Sequence, residues 1–168
     1  MIHLRKLEPD DLPFLYRWEN DALCWSDAAN HNLLSQHDLR EYIAQSTGDI
    51  YRDGQLRLIV EEYEESASHK LTLGCIDLFD FDPRNRRAAI GMYIAPDFRG
   101  RGIGQEAVRM LEEYAFGYLH LRVLYAIIRV TNHACSHIYR LRQFIPTSEL
   151  RAWTLEDNAI LWQKINEN

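Results

Sequence analysis

Gly100, Gly102 and Gly104 alternate with Arg101 and Ile103 at one junction of the chain, and no other stretch constrains the fold as much. An apolar run, residues 88–94, leads into the junction. A helix-forming segment, residues 105–119, leads out of it. The implied order is strand, glycine loop, helix. Glycine lets a backbone take positive φ and come close to a ligand. The free N–H groups of a helix's first turn then converge on one spot and favour negative charge there. The loop is therefore suited to a phosphate or pyrophosphate. A glycine turn without a ligand is the plainer alternative.

Other phosphate loops fit this stretch less well. Gly102-Ile103-Gly104-Gln105-Glu106-Ala107 is a partial dinucleotide fingerprint. Such a fingerprint belongs at the start of βαβ repeats, yet only one helix, one strand, a short helix and a hairpin are expected after it. No Gly-Lys-Ser/Thr follows, so it is not a Walker loop. A second informative segment lies at residues 123–130, an apolar, β-branched run of strand length. Thr131 and Asn132 follow as a turn or helix N-cap. A helical stretch then runs from His133 towards Phe144.

These two segments carry a resemblance. Arg99-x-x-Gly102-x-Gly104 resembles the acyl-CoA pyrophosphate loop of the GNAT N-acetyltransferases, Gln/Arg-x-x-Gly-x-Gly/Ala. Asn132, Ser136, Ile138, Tyr139 and Phe144 fall on that family's strand–Asn–helix pattern ending Leu-Tyr-x-x-x-Gly-Phe. Gln143 departs from it, standing where the family has the glycine that ends the helix. Residues 3–12 and 85–91 look like the family's first strand with its following helix and the approach to its fourth strand. Within the family the chain looks closest to the spermidine and ribosomal-protein N-terminal acetyltransferases.

The resemblance implies one domain over residues 1–168, of α/β (α+β) class: a GNAT fold with a single mixed sheet, splayed fourth and fifth strands, flanking helices and a C-terminal hairpin. It implies acetyl-CoA as co-substrate. Its pantetheine arm would lie in the splay against the backbone of Met92, Tyr93 and Ile94. Its pyrophosphate would lie on Arg99, Gly100, Arg101, Gly102, Ile103, Gly104 and Gln105, with Asn132 and Ser136 beside the arm. For Asn132 a plain helix cap is equally consistent with the residues.

Acetyl transfer to an amine needs the thioester in attack geometry, a neutral nitrogen and a stabilised leaving thiolate. Tyr139 matches the family's general acid; otherwise it is a core tyrosine. Asp77, in Gly74-Cys75-Ile76-Asp77, matches an acidic position of polyamine acetyltransferases and is the candidate base. A solvated strand residue or a carboxylate-held water are the alternatives. His133 and His137 share a helical face without a third ligand, so no metal is expected. A non-catalytic CoA-binding module and a nicotinamide-dependent enzyme remain as rival functions.

Composition narrows the partners. With 46% hydrophobic and 26% charged residues, the chain reads as a globular protein with a real core. A net charge of -6 argues against a nucleic-acid surface and favours a small-molecule or peptide amine. No secretory signal or membrane-spanning run is read, and Cys24, Cys75 and Cys135 form no disulfide framework. A cytoplasmic protein is expected, with a homodimer left open. Acceptor specificity is expected from residues 21–34, the second helix and the terminal hairpin.

Overall fold

Each strand alternates its side chains between two faces, so a run with apolar residues on both sides needs cover on both. The computed structural model describes residues 1–21, 32–64 and 69–167, and shows one seven-stranded sheet covered in that way. The strands are β1 Ile2–Lys6, β2 Leu56–Glu64, β3 His69–Asp82, β4 Arg87–Ile94, β5 Val123–Arg129, β6 Ile145–Leu150 and β7 Ala159–Ile165. Their order is β1-β2-β3-β4-β5-β7-β6. All neighbours are antiparallel except β4 and β5, which run parallel.

The helices divide between the faces. On one face lie α1 (Leu12–Glu19) and α2 (Gln36–Gln45), whose Leu15, Trp18, Leu39 and Ile43 pack on Ile59 and Cys75. The other face carries the larger core. There α4 (Ile103–Glu113) and α5 (His133–Leu141) bury Ala107, Val108, Leu111 and Tyr139 against Leu58, Ile76, Leu78, Ile90 and Leu124.

Several element ends differ from the sequence reading, each for a local reason. Residues 48–54, which offer no sequence period, contain a short helix, α3 (Ile50–Asp53). The Asp49 carboxylate caps it by accepting from the Tyr51 N–H at 2.9 Å, and its Ile50 is buried. α4 begins at Ile103, two residues early, because Gly102 at φ 76° is its N-cap. It ends at Glu113, where residues 114–118 widen into a π turn closed by Leu119 N–H donating to the Tyr114 carbonyl. The first strand of the terminal hairpin is Ile145–Leu150, and residues 151–158 do not continue it. Thr154 and Asp157 instead bond each other across a turn. The β2–β3 turn, and residues 22–31 of the expected specificity segment, lie outside the described residues.

Gln143 shows how the chain dispenses with a glycine. It takes the left-handed conformation itself, at φ 63°. Phe144 N–H donates to the Tyr139 carbonyl and Gln143 N–H to the Arg140 carbonyl, both at 2.9 Å. These are the paired bonds of a Schellman helix end. The apolar contact that completes that motif is Phe144 edge-on to Tyr139, with ring centroids 4.9 Å apart.

Candidate active site

The site follows from one irregularity in the sheet. β4 and β5 pair only from Arg87–Ala89 to Val123–Tyr125, at their N-terminal ends. β4 then follows β3 to Ile94, and β5 follows β7 to Arg129. The two strands therefore open a gap towards their C-terminal ends, the end at which parallel strands place ligands. Ala95 N–H donates to the Leu73 carbonyl at 2.9 Å. The alternation of an antiparallel ladder, counted from that bond, turns the peptide edges of Met92 and Ile94 towards the gap and that of Tyr93 towards β3. Tyr93 thus meets the expectation for the fourth strand less directly than its neighbours. Its ring lies on the far face, 5.4 Å from that of Trp18.

The glycine loop stands at the mouth of the gap. Gly100 and Gly102 both have positive φ, at 75° and 76°, and a Cβ on either would point into open space. Conformation, not crowding, is what requires glycine at these two positions. Gly104 is different, because a Cβ there would come within 3.0 Å of Ile138 Cδ1 and 3.1 Å of Met92 Cε. That close approach seats the helix start on β4 and α5. The first intrahelical bond is Glu106 N–H to the Gly102 carbonyl, so the N–H groups of Ile103, Gly104 and Gln105 precede it. Arg99 turns inward: its Nε donates to the Ile94 carbonyl at 2.8 Å and its guanidinium lies over the Tyr93 ring. Arg101 lies over Phe98.

α5 starts at the same mouth. Its N-cap Asn132 accepts from Cys135 N–H at 3.1 Å, and the Ser136 hydroxyl donates back to the Asn132 carbonyl at 3.0 Å. Both side chains thus secure the helix start. One turn on, Tyr139 is buried, with 1% exposure. Desolvation, then the charges of Cys135 and Glu112, push its phenol well above the usual range and keep it protonated. Glu112 is itself buried and accepts from Arg142 Nη2 at 2.8 Å and Lys164 Nζ at 2.7 Å, tying α4 to the end of α5 and to β7. His133 and His137 are exposed, and among the described residues no group of His, Cys, Asp or Glu is arranged to hold a metal.

Asp77 lies across β4, on the α1–α2 face. Its carboxylate is gripped by Arg57, Nε to Oδ1 at 2.8 Å and Nη2 to Oδ2 at 2.9 Å. Arg57 also donates to Glu19 and stacks on Tyr42, its guanidinium 5.6 Å from the ring centroid. Burial alone would weaken the guanidinium's charge, but the adjoining carboxylates outweigh it and hold Arg57 ionised. Burial also pushes the neighbouring Cys75 thiol far up and the Tyr42 phenol up to about 12. The sequence reading missed Arg57 and Glu19. The available signal was alternation, which puts Arg57 on the same side of β2 as the buried Ile59.

Comparison with known proteins agrees with this architecture. The profile described as an acetyltransferase (GNAT) domain matches residues 2–141. A spermidine N(1)-acetyltransferase of Escherichia coli (strain K12) is 28% identical over 152 residues, covering 89% of this chain and 75% of the relative. One from Vibrio cholerae is 25% identical over 149 residues, covering 89% and 82%. The crystal structure of spermidine N-acetyltransferase from Vibrio cholerae in complex with CoA and spermine gives a TM-score of 0.86. It covers 98% of this chain and 95% of that one, at 22% identity. With its open β4–β5 gap, its glycine-capped α4 and a family match over most of its length, this chain belongs to the GNAT acetyltransferase family.

Proposed function

We propose that the protein transfers the acetyl group of acetyl-CoA to a primary amine of a polyamine, by direct attack in a ternary complex. The observation that carries this is the convergence of the left-handed glycines, the α4 N-terminus and the peptide edges of Met92 and Ile94 at the mouth of one gap. The N–H groups of residues 103–105 suit the pyrophosphate. The edges of Met92 and Ile94 offer the pantetheine amides a strand-like partner. The relatives' polyamine substrates and this chain's net charge of -6 favour a polycationic acceptor.

In the reaction the neutral amine nitrogen attacks the thioester carbonyl, the C–N bond forms and the C–S bond breaks. Tyr139, kept protonated by its surroundings, supplies the proton to the departing thiolate. The nitrogen's proton leaves to a water held by carboxylates or to Asp77. Arg99 holds the end of β4 through Ile94, while Asn132 and Ser136 hold the start of α5, so both lips of the gap are braced.

The test is a screen of polyamines, peptide N-termini and small amines for CoA thiol release, beside thermal shifts with acetyl-CoA, NAD and NADP. Acetyl-CoA alone should raise the melting temperature. Acetyl-CoA stabilisation with no thiol release on any amine would instead assign a CoA-binding module, and stabilisation by NAD a nicotinamide enzyme.

A further inference from the structure

The end of α5 holds Tyr139 through one neighbour. The Tyr139 carbonyl accepts from Phe144 N–H at 2.9 Å, and the two rings meet edge-on with centroids 4.9 Å apart. Both contacts belong to Phe144, so whatever fixes Phe144 bears on where the phenol stands. Three charges gather there. The buried Glu112 of α4 accepts from Arg142 Nε at 3.2 Å and Nη2 at 2.8 Å, and from Lys164 Nζ at 2.7 Å. Lys164 reaches across from β7 and also donates to the carbonyl of Arg142, the C-cap of α5, at 2.8 Å. The same ammonium lies 5.7 Å from the centroid of the Phe144 ring. One nitrogen thus joins α4, the last residue of α5 and the ring that abuts Tyr139.

Burying a carboxylate with its cations gains little net stability over apolar packing of the same shape. What it supplies is direction, because each charged hydrogen bond favours one distance and angle. Proton donation depends on direction: a group misplaced by about 1 Å can cost roughly 10²-fold in rate. We propose that Glu112, Arg142 and Lys164 form a clamp on the end of α5 that positions Tyr139 for proton transfer at the β4–β5 gap, with Lys164 as its central member. This rests on the reading of Tyr139 as the acid. The three are positioning residues, acting through Phe144 and Tyr139.

Lys164→Met opens the clamp with least damage, since it leaves Glu112 bonded to Arg142. Its kcat should fall about tenfold. The KM of the amine and the calorimetric affinity for acetyl-CoA should stay near wild type, and the second also reports that the variant is folded. Lys164→Arg keeps a charged donor and should recover most of kcat. Arg142→Met, which leaves Glu112 paired with Lys164, should act in the same direction as Lys164→Met. Two readouts separate positioning from plain support. In native-state amide exchange, Lys164→Met should speed Phe144 and Gln143, whose N–H groups bond the Tyr139 and Arg140 carbonyls, and leave Glu106 at the start of α4 unchanged. In a Tyr139→Phe background Lys164→Met should cost about twofold in kcat or less, since the hydroxyl it positions is gone. Wild-type kcat in Lys164→Met overturns the proposal. So does an equal loss with and without the Tyr139 hydroxyl, or unchanged exchange at Phe144. Wild-type turnover in Tyr139→Phe, with exchange at Phe144 still raised by Lys164→Met, would overturn the acid reading alone.

Discussion

The two sides of β4 do comparable work with different materials. Towards the gap the structure presents backbone: two left-handed glycines, the first N–H groups of α4, and the peptide edges of Met92 and Ile94. Towards α1 and α2 it presents half-buried ionised side chains, Glu19, Arg57 and Asp77. A backbone site costs little to build, because its donors would stand at a helix start in any case. A site of half-buried, mutually paired charges depends on every partner being present. The first should therefore tolerate side-chain change and fail on conformational change, and the second should do the reverse.

Removing the central cation is the most severe way to probe that contrast. Arg57→Met leaves two carboxylates facing each other, and the loss should be about 3 kcal/mol or more, measured by urea unfolding. If the folded variant binds acetyl-CoA as the wild type does, the two sides are independent; a tenfold loss of affinity would break the comparison. Next in size is Tyr139→Phe, which keeps the ring on Phe144 and removes the hydroxyl. Acetyl-CoA binding should hold while turnover falls roughly 10²-fold, and unchanged turnover would leave Tyr139 as a core residue. Gly102→Asp puts a charge and a Cβ at the left-handed cap of α4. Calorimetry should show acetyl-CoA binding weaker by about 2 kcal/mol, and unchanged affinity in a folded variant would remove the loop from the site. The smallest effect is expected from Gln143→Gly, which relieves a left-handed side-chain residue and should stabilise the fold by up to about 1 kcal/mol in thermal unfolding without touching activity.

What could be read in the sequence follows the same division. Gly102 and Gly104 lie within one helix start, and Asn132 to Tyr139 within two helical turns, so their spacing is written in the chain itself. Arg57 meets residues 38 positions before it and 20 after it. The register of β2 on β3 sets Arg57 beside Asp77, the packing of α1 on that face brings Glu19, and no local pattern encodes either. Glu112 is likewise satisfied by Arg142 and Lys164, 30 and 52 residues away. α3 was hidden because its four residues are too few for a period, and only the Asp49 cap marks it. Gln143 stands in the sequence where the family has glycine, but a sequence does not show whether a helix end will be rebuilt or the strain accepted. Here it is accepted, with the Phe144–Tyr139 contact to offset it.

The short β4–β5 ladder also has a mechanical meaning. Among the described residues, a ladder of three residue pairs joins the antiparallel ribbon β1–β4 to the antiparallel ribbon β5–β7–β6 in the plane of the sheet. The sheet is in effect two leaves on a hinge, and an extended molecule seated between them would act as an eighth strand that stitches the leaves together. Occupancy should then register far from the mouth, as slower amide exchange on the outer strands β6 and β1, because closing the hinge stiffens both leaves at once.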